Sequence, residues 1–124
     1  MSKILLVEDH EDNRQIVRDL LDGEGFDLVE ARTGEDGVVM VESQHPDLIL
    51  MDIQLPGIDG YEATRQIRAN PAFGRIPIIA VTSYALSGDE TKARAAGCDD
   101  YVTKPFSPLK LLEKIREYLP RTTE

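Results

Sequence analysis

Short apolar runs punctuate this chain, and the stretches between them carry apolar residues at helical spacing. Lys3-Ile4-Leu5-Leu6-Val7 has a single charge and reads as a buried strand. From Asn13 to Glu24, Ile16, Val17, Leu20 and Leu21 form a stripe on one helix face, which Gly23 and Gly25 close. Phe26 to Ala31 alternates and predicts a second, less buried strand. Thr33-Gly34-Glu35-Asp36 has the form of a helix start, a hydroxyl cap with an acid three residues on. Val38, Val39 and Val41 follow, and His45-Pro46 ends that helix because a residue before proline is pushed out of the right-handed helical region. Leu48-Ile49-Leu50-Met51 has no polar residue and ends on Asp52.

Leu55-Pro56-Gly57-Ile58-Asp59-Gly60 reads as a loop, and Tyr61 to Ala69 as a helix with Ala63, Thr64 and Ile67 inward, stopped by Asn70-Pro71. Pro77 to Thr82 is a fourth apolar strand with its proline tolerated at the start. Ser87-Gly88-Asp89-Glu90 predicts the cap of a helix that runs to Ala96 and closes at Gly97, and Asp100 to Thr103 a short fifth strand. Ser107-Pro108 opens a last helix whose predicted buried stripe is Leu109, Leu112, Ile115 and Leu119. The pattern is therefore strand–helix five times over, an α/β chain. Continuous apolar strands alternating with helices predict a parallel sheet covered on both faces, doubly wound in the flavodoxin-like order 2-1-3-4-5. Ligands of such sheets sit beyond the carboxyl ends of the strands, at the switch point between strands 1 and 3.

At those ends stand Glu8 and Asp9, Asp52, Thr82 with Ser83, and Lys104 with Pro105. Strands 1 and 3 are predicted neighbours, so three carboxylates converge, and like charges at that distance repel. A hard cation relieves the conflict; Mg²⁺ takes oxygen ligands and keeps several waters, one replaceable by a phosphate oxygen. Lys104 adds a fixed positive charge and Thr82 a hydroxyl donor. That set matches phosphoryl chemistry on an aspartyl nucleophile, and Asp52, at the end of the most apolar strand, is the best-placed candidate. No glycine-rich loop ending in GK[ST] occurs, which argues against ATP as direct donor.

Composition sharpens this picture. The 124 residues fit one domain, with a core at about 3–119. The lone cysteine, Cys98, excludes a disulfide framework and reads as a small core residue; with no signal segment it predicts a reducing cytoplasm, and no apolar run is long enough for a membrane span. The net charge of −9 argues against nucleic acid and anionic membranes as partners. It is also uneven: residues 1–62 hold 4 basic and 16 acidic side chains, residues 63–124 hold 10 and 7. His10 reads as an exposed loop histidine. Arg65, Arg68 and Arg75, in an acid-free span, read as a solvated basic face.

Five segments, in order, resemble the receiver domain of two-component response regulators: Ile4-Leu5-Leu6-Val7-Glu8-Asp9, Pro46 to Asp52, Leu55 to Gly60, Ile78 to Thr82, and Tyr101-Val102-Thr103-Lys104-Pro105. The resemblance spans essentially the whole chain. It implies that Asp52 accepts a phosphoryl group from a phosphohistidine of a sensor histidine kinase or histidine phosphotransfer protein. It implies Mg²⁺ held directly by Asp9 and Asp52, by Glu8 through water, and by the backbone carbonyl of Gln54. Thr82 and Lys104 would bind phosphoryl oxygens, Tyr101 would be a switch aromatic, and the Lys104–Pro105 bond would be cis. On spacing alone Tyr101 is a half-buried edge-strand aromatic. The family also implies a monomer, or a dimer formed on phosphorylation.

Phosphorylation of Asp52 would draw in Thr82 and Lys104, so the surface of the fourth helix, fifth strand and fifth helix is the expected readout face for a downstream partner. Four residues follow Pro120, which predicts a stand-alone signalling switch, not an enzyme acting on other substrates; a receiver excised from a hybrid kinase is the alternative. A phosphatase of the haloacid-dehalogenase type is the rival from another class. It expects an aspartate two residues after the nucleophile, where this chain has Gln54. A flavin carrier shares the topology, but Glu8 and Asp9 would repel flavin phosphate. Ser83 and Gln54 depart from the residues commonest at their positions and would border the phosphoryl group.

Overall fold

The structure, a computed structural model, describes residues 2–82, 89–104 and 107–119. Its elements are β1 (Ser2–Val7), α1 (Glu11–Leu21), β2 (Phe26–Ala31), α2 (Gly34–Gln44), β3 (Leu48–Asp52), α3 (Gly60–Ala69), β4 (Ile78–Thr82), α4 (Asp89–Ala96), β5 (Asp100–Thr103) and α5 (Pro108–Tyr118). The five strands pair in parallel in the order β2-β1-β3-β4-β5, the predicted doubly wound sheet.

Strand side chains point alternately to the two faces, so each inner strand feeds two cores. Leu5, Val7, Ile49, Met51, Ile78 and Ala80 join Val41, Ala63, Ile67 and Ala93 on the face of α2, α3 and α4. Ile4, Leu6, Leu48, Leu50 and Ile79 join Val17, Leu21, Leu111 and Ile115 on the face of α1 and α5. All five residues of β3 and of β4 are buried, which is why those two segments read as uninterrupted apolar runs.

The helix starts follow their caps. Thr33 Oγ1 accepts from the Asp36 amide at 3.0 Å, and Ser107 Oγ from Lys110 at 3.5 Å. Asp59 Oδ1 accepts from Glu62 at 2.9 Å and caps α3. His45 leaves the helix as predicted, but in the left-handed region (φ 49°, ψ 60°), and its amide closes on the Val41 carbonyl. The expected Ser87–Glu90 cap falls partly outside the described residues.

Two helix faces differ from expectation. On α1 the buried residues are Arg14, Val17 and Leu21, while Ile16 is 44% exposed. On α5 they are Leu111 and Ile115, while Leu109 is 70% exposed and Leu112 and Leu119 are half-buried. Each helix carries more apolar residues than one face can bury; on α1 an inward place goes to Arg14, which donates to Glu8 O, and on α5 to Leu111, which clusters with Leu48, Leu50 and Ile79. Arg68 corrects a third expectation. It is half-buried, donating to the carbonyls of Gly97 and Phe73 and to Asp99, and ties α3 to the β5 approach. Arg65 and Arg75 are exposed as expected, and Cys98 is buried.

Candidate functional site at the strand carboxyl ends

β1, β3 and β4 end at the same edge of the sheet because their registers align. Val7 pairs with Met51, Met51 with Ala80, and Asp52 with Val81. The next residues are therefore Glu8 and Asp9 from β1, Asp52 itself, and Thr82 from β4. The Glu8 amide continues the ladder to Ala31 O (3.0 Å), and the Ile53 amide to Val81 O (3.0 Å), so both strand ends remain fixed. Gly60 completes the frame. A Cβ there would lie 2.3 Å from the Asp52 carbonyl oxygen, so only glycine lets α3 begin this close to the end of β3.

Lys104 arrives from β5 on a 2.6 Å bond from its amide to Thr82 O. Its Nζ lies 2.7 Å from Glu8 Oε1 and 3.4 Å from Asp52 Oδ2, and so bridges two carboxylates that are nearly solvent-free. Asp52 Oδ1 accepts from the Gln54 amide at 3.1 Å, and Glu8 Oε2 from the His10 amide at 3.0 Å. Burial, then the Glu8 charge, raises the Asp52 carboxyl to about 6. Burial opposes the Glu8 charge too, yet the hydrogen bonds from Lys104 and the His10 amide hold that carboxyl below its usual range. Burial lowers the Lys104 ammonium's pKa, but its carboxylate partners more than compensate and raise it.

Asp9 has one carboxylate oxygen, Oδ1, that is buried and accepts no hydrogen bond from the described residues. His10 Nδ1 is 3.2 Å away and 3.5 Å from Glu8 Oε2. Glu8, Asp9 and His10 each offer a ligand atom within 4.8 Å of the others. An unsolvated anionic oxygen beside further carboxylates is what a hard divalent cation fits. His10 is exposed, as predicted, but contributes its amide and ring to this rim, which its position beside two acids alone did not disclose.

Of the other predicted residues, Thr82 is buried at the β4 end, and Gln54 lies directly after the Asp52–Ile53 turn with its side chain exposed. Tyr101 is half-buried on β5, packed against the α2–α3–α4 core. Pro105 and Ser83 lie outside the described residues. Arg14 escaped the sequence reading: it is 4% exposed, and its Nη1 donates to Glu8 O at 2.8 Å.

A buried acidic pocket lies at the switch point of a 2-1-3-4-5 sheet beside a lysine that follows the fifth strand, an arrangement suited to phosphoryl chemistry. The sequence profile of the response regulator receiver domain matches residues 4–116, and the chain belongs to that family, whose members act in phosphorelay signalling. It is 40% identical over 116 residues to the polar-differentiation response regulator DivK of Brucella ovis, covering 94% of each chain. Its fold matches the receiver domain of a sensor histidine kinase from Pseudomonas aeruginosa, solved with a magnesium ion coordinated in the active site cleft (TM-score 0.88, 39% identity, 97% and 98% of the two chains). It also matches the chemotaxis response regulator CheY4 of Vibrio cholerae (TM-score 0.89, 25% identity, 95% and 98%). Among the described residues no helix is long and apolar enough to cross a membrane.

Proposed function

We propose that Asp52 is the phosphoacceptor of a Mg²⁺-dependent switch supplied by a phosphohistidine of a sensor histidine kinase or histidine phosphotransfer protein. The observation that carries this reading is the pairing at Asp52, a buried carboxylate with a lysine ammonium shared between it and Glu8. An Asp52 carboxylate oxygen attacks phosphorus. The new P–O bond forms as the P–N bond to the donor imidazole breaks, and the imidazole leaves with a proton. Asp9, Asp52 and the Gln54 carbonyl would hold Mg²⁺, with Glu8 acting through water, and the ion would supply charge neutralisation at the phosphoryl oxygens. Lys104 meets a phosphoryl oxygen with its ammonium, and Thr82 with its hydroxyl.

The consequence is local charge rearrangement with a distant readout. Thr82 ends β4, which leads to α4; Lys104 follows β5 and precedes α5. Their shift toward the phosphoryl group moves the α4–β5–α5 surface, with Tyr101 turning inward, and so changes affinity for a downstream protein. The protein acts on no other substrate, catalysing only its own aspartyl phosphorylation and slow dephosphorylation, and works in the cytoplasm.

Incubation with Mg²⁺ and acetyl phosphate tests the reading by intact mass. One adduct of about 80 Da is expected. It is absent in Asp52→Asn and without Mg²⁺; incorporation that persists in Asp52→Asn overturns the assignment. Steady phosphate release from many organic phosphates would instead favour a phosphatase.

A further inference from the structure

We propose that Arg14 is a positioning residue for the acidic pocket, orienting the peptide between Glu8 and Asp9 so that the Asp9 carboxylate faces the divalent cation. This rests on the reading of that pocket as a Mg²⁺ site. Arg14 is a charged side chain deep in the molecule, 4% exposed, and a buried guanidinium is retained only when its donors are satisfied. Its fork reaches three elements. Nη1 donates to Glu8 O at 2.8 Å, Nη2 to Glu11 Oε1 at 2.7 Å, and Nε lies 3.3 Å from Glu30 Oε1 on β2.

A purely structural tie of α1 to β2 does not require it. Arg18 already makes that tie in bidentate form, Nε to Glu30 Oε2 and Nη2 to Glu30 Oε1, both at 2.7 Å. What Arg14 alone supplies is the bond to the Glu8 carbonyl. The Glu8 amide is held by Ala31 O, so with Arg14 on the carbonyl both backbone polar groups of Glu8 are pinned. The pinned carbonyl belongs to the peptide unit that leads into Asp9. Its plane sets where the Asp9 side chain starts, and Asp9 Oδ1 is the buried oxygen that no hydrogen bond orients. That oxygen accepts no hydrogen bond from the described residues, and its near neighbour, the His10 ring, is itself exposed, so its direction depends on the backbone beneath it, which Arg14 fixes.

Calorimetric titration of the metal-free protein with Mg²⁺ tests this. Arg14→Met fills the same space without donors and is expected to raise the Mg²⁺ Kd by about tenfold, the cost typical of losing a group that orients a ligand. Leu21→Ala, on the same helix and remote from Glu8, is expected to lower Tm yet leave the Kd within about twofold. Phosphorylation by acetyl phosphate should require correspondingly more Mg²⁺ in Arg14→Met and reach the wild-type maximal rate when Mg²⁺ saturates, because Arg14 does not touch Asp52. If Arg14→Met does not fold, Arg14→Lys decides: one ammonium cannot serve three acceptors, and its Kd should rise by more than about twofold. An unchanged Kd in the folded variant, or an equal rise in Leu21→Ala, overturns the inference while leaving the Mg²⁺ site intact. Absence of Mg²⁺ binding by the wild-type protein overturns the pocket reading itself.

Discussion

Burial and the nearby Glu8 carboxylate raise the Asp52 carboxyl to about 6, above the 3.8 of an ordinary aspartate. The folded protein therefore binds this proton more tightly than the unfolded chain does. The charged form weakens the fold above pH 6, and that penalty fades as pH falls from 6 towards 4. Asp52→Asn removes it. In EDTA the variant should be more stable than wild type at pH 8 by on the order of 2 kcal/mol, with the gain gone near pH 4. Urea unfolding at both pH values checks this, and an equal difference at the two contradicts it. Glu8 has the opposite sign, because its bonds from Lys104 and the His10 amide hold its carboxyl below the ordinary 4.5. Its contribution is present above pH 4.5 and is lost as pH falls further, so Glu8→Gln should destabilise the protein at pH 7 where Asp52→Asn stabilises it. Glu8, Asp52 and Thr82 were legible because each ends or follows an apolar strand, and Lys104 because it follows the short fifth strand. Arg14 was not, since a hydropathy pattern scores a buried arginine as surface, and only its acceptors show why it points inward.

Elements were legible where burial makes the pattern simple. β3 and β4 are buried throughout and read directly, as did the order of the sheet, since parallel strands covered on both faces have few arrangements. Helix rotation was harder. Ile16 and Leu109 belong to apolar stripes by spacing, yet both lie outside, because a helix with more apolar residues than one face can bury leaves some exposed. The junction of β3 and α3 carries a sharper test. Gly60 donates its amide to Ile53 O at 2.9 Å, and a Cβ would meet the Asp52 carbonyl at 2.3 Å and Ile53 Cα at 2.7 Å. Both obstacles are backbone and cannot swing away, so Gly60→Ala must push α3 off the strand end. A loss of about 2 kcal/mol or more is expected, with slower phosphorylation by acetyl phosphate because Asp52 moves with its carbonyl. Thr33→Ala removes a cap away from the pocket and should cost about 1 kcal/mol with phosphorylation unchanged. Thermal unfolding and intact mass together separate the two, and a Gly60→Ala protein with wild-type stability would contradict the close approach.

Across the whole molecule the charge asymmetry takes on a mechanical meaning. The acid-rich half supplies Glu8, Asp9 and Asp52, the basic half supplies Lys104, and the 2.7 Å and 3.4 Å contacts of one ammonium join the halves at the sheet edge. Lys104 is also joined to β4 by its amide on Thr82 O, so movement of either residue is felt by the other and by the two helices they adjoin. Charge added at Asp52 under the proposed phosphorylation would compete with Glu8 for Lys104 and attract the Thr82 hydroxyl, while the β1 and β3 ends are held by their ladders. The response should therefore fall on the α4–β5–α5 side and spare α1 and β2. Amide hydrogen exchange with and without beryllofluoride, a phosphoryl mimic, measures it. Changed protection is expected in α4, β5 and the start of α5, with Tyr101 more protected, and little change across β1–β3. Thr82→Ala should still take up one phosphoryl group from acetyl phosphate while losing most of the exchange response, because the site keeps its nucleophile and lysine but loses the hydroxyl that links phosphate to β4. A full response in Thr82→Ala would place the coupling on Lys104 alone. A response spread evenly over the sheet would contradict the division between a fixed acidic edge and a movable basic one.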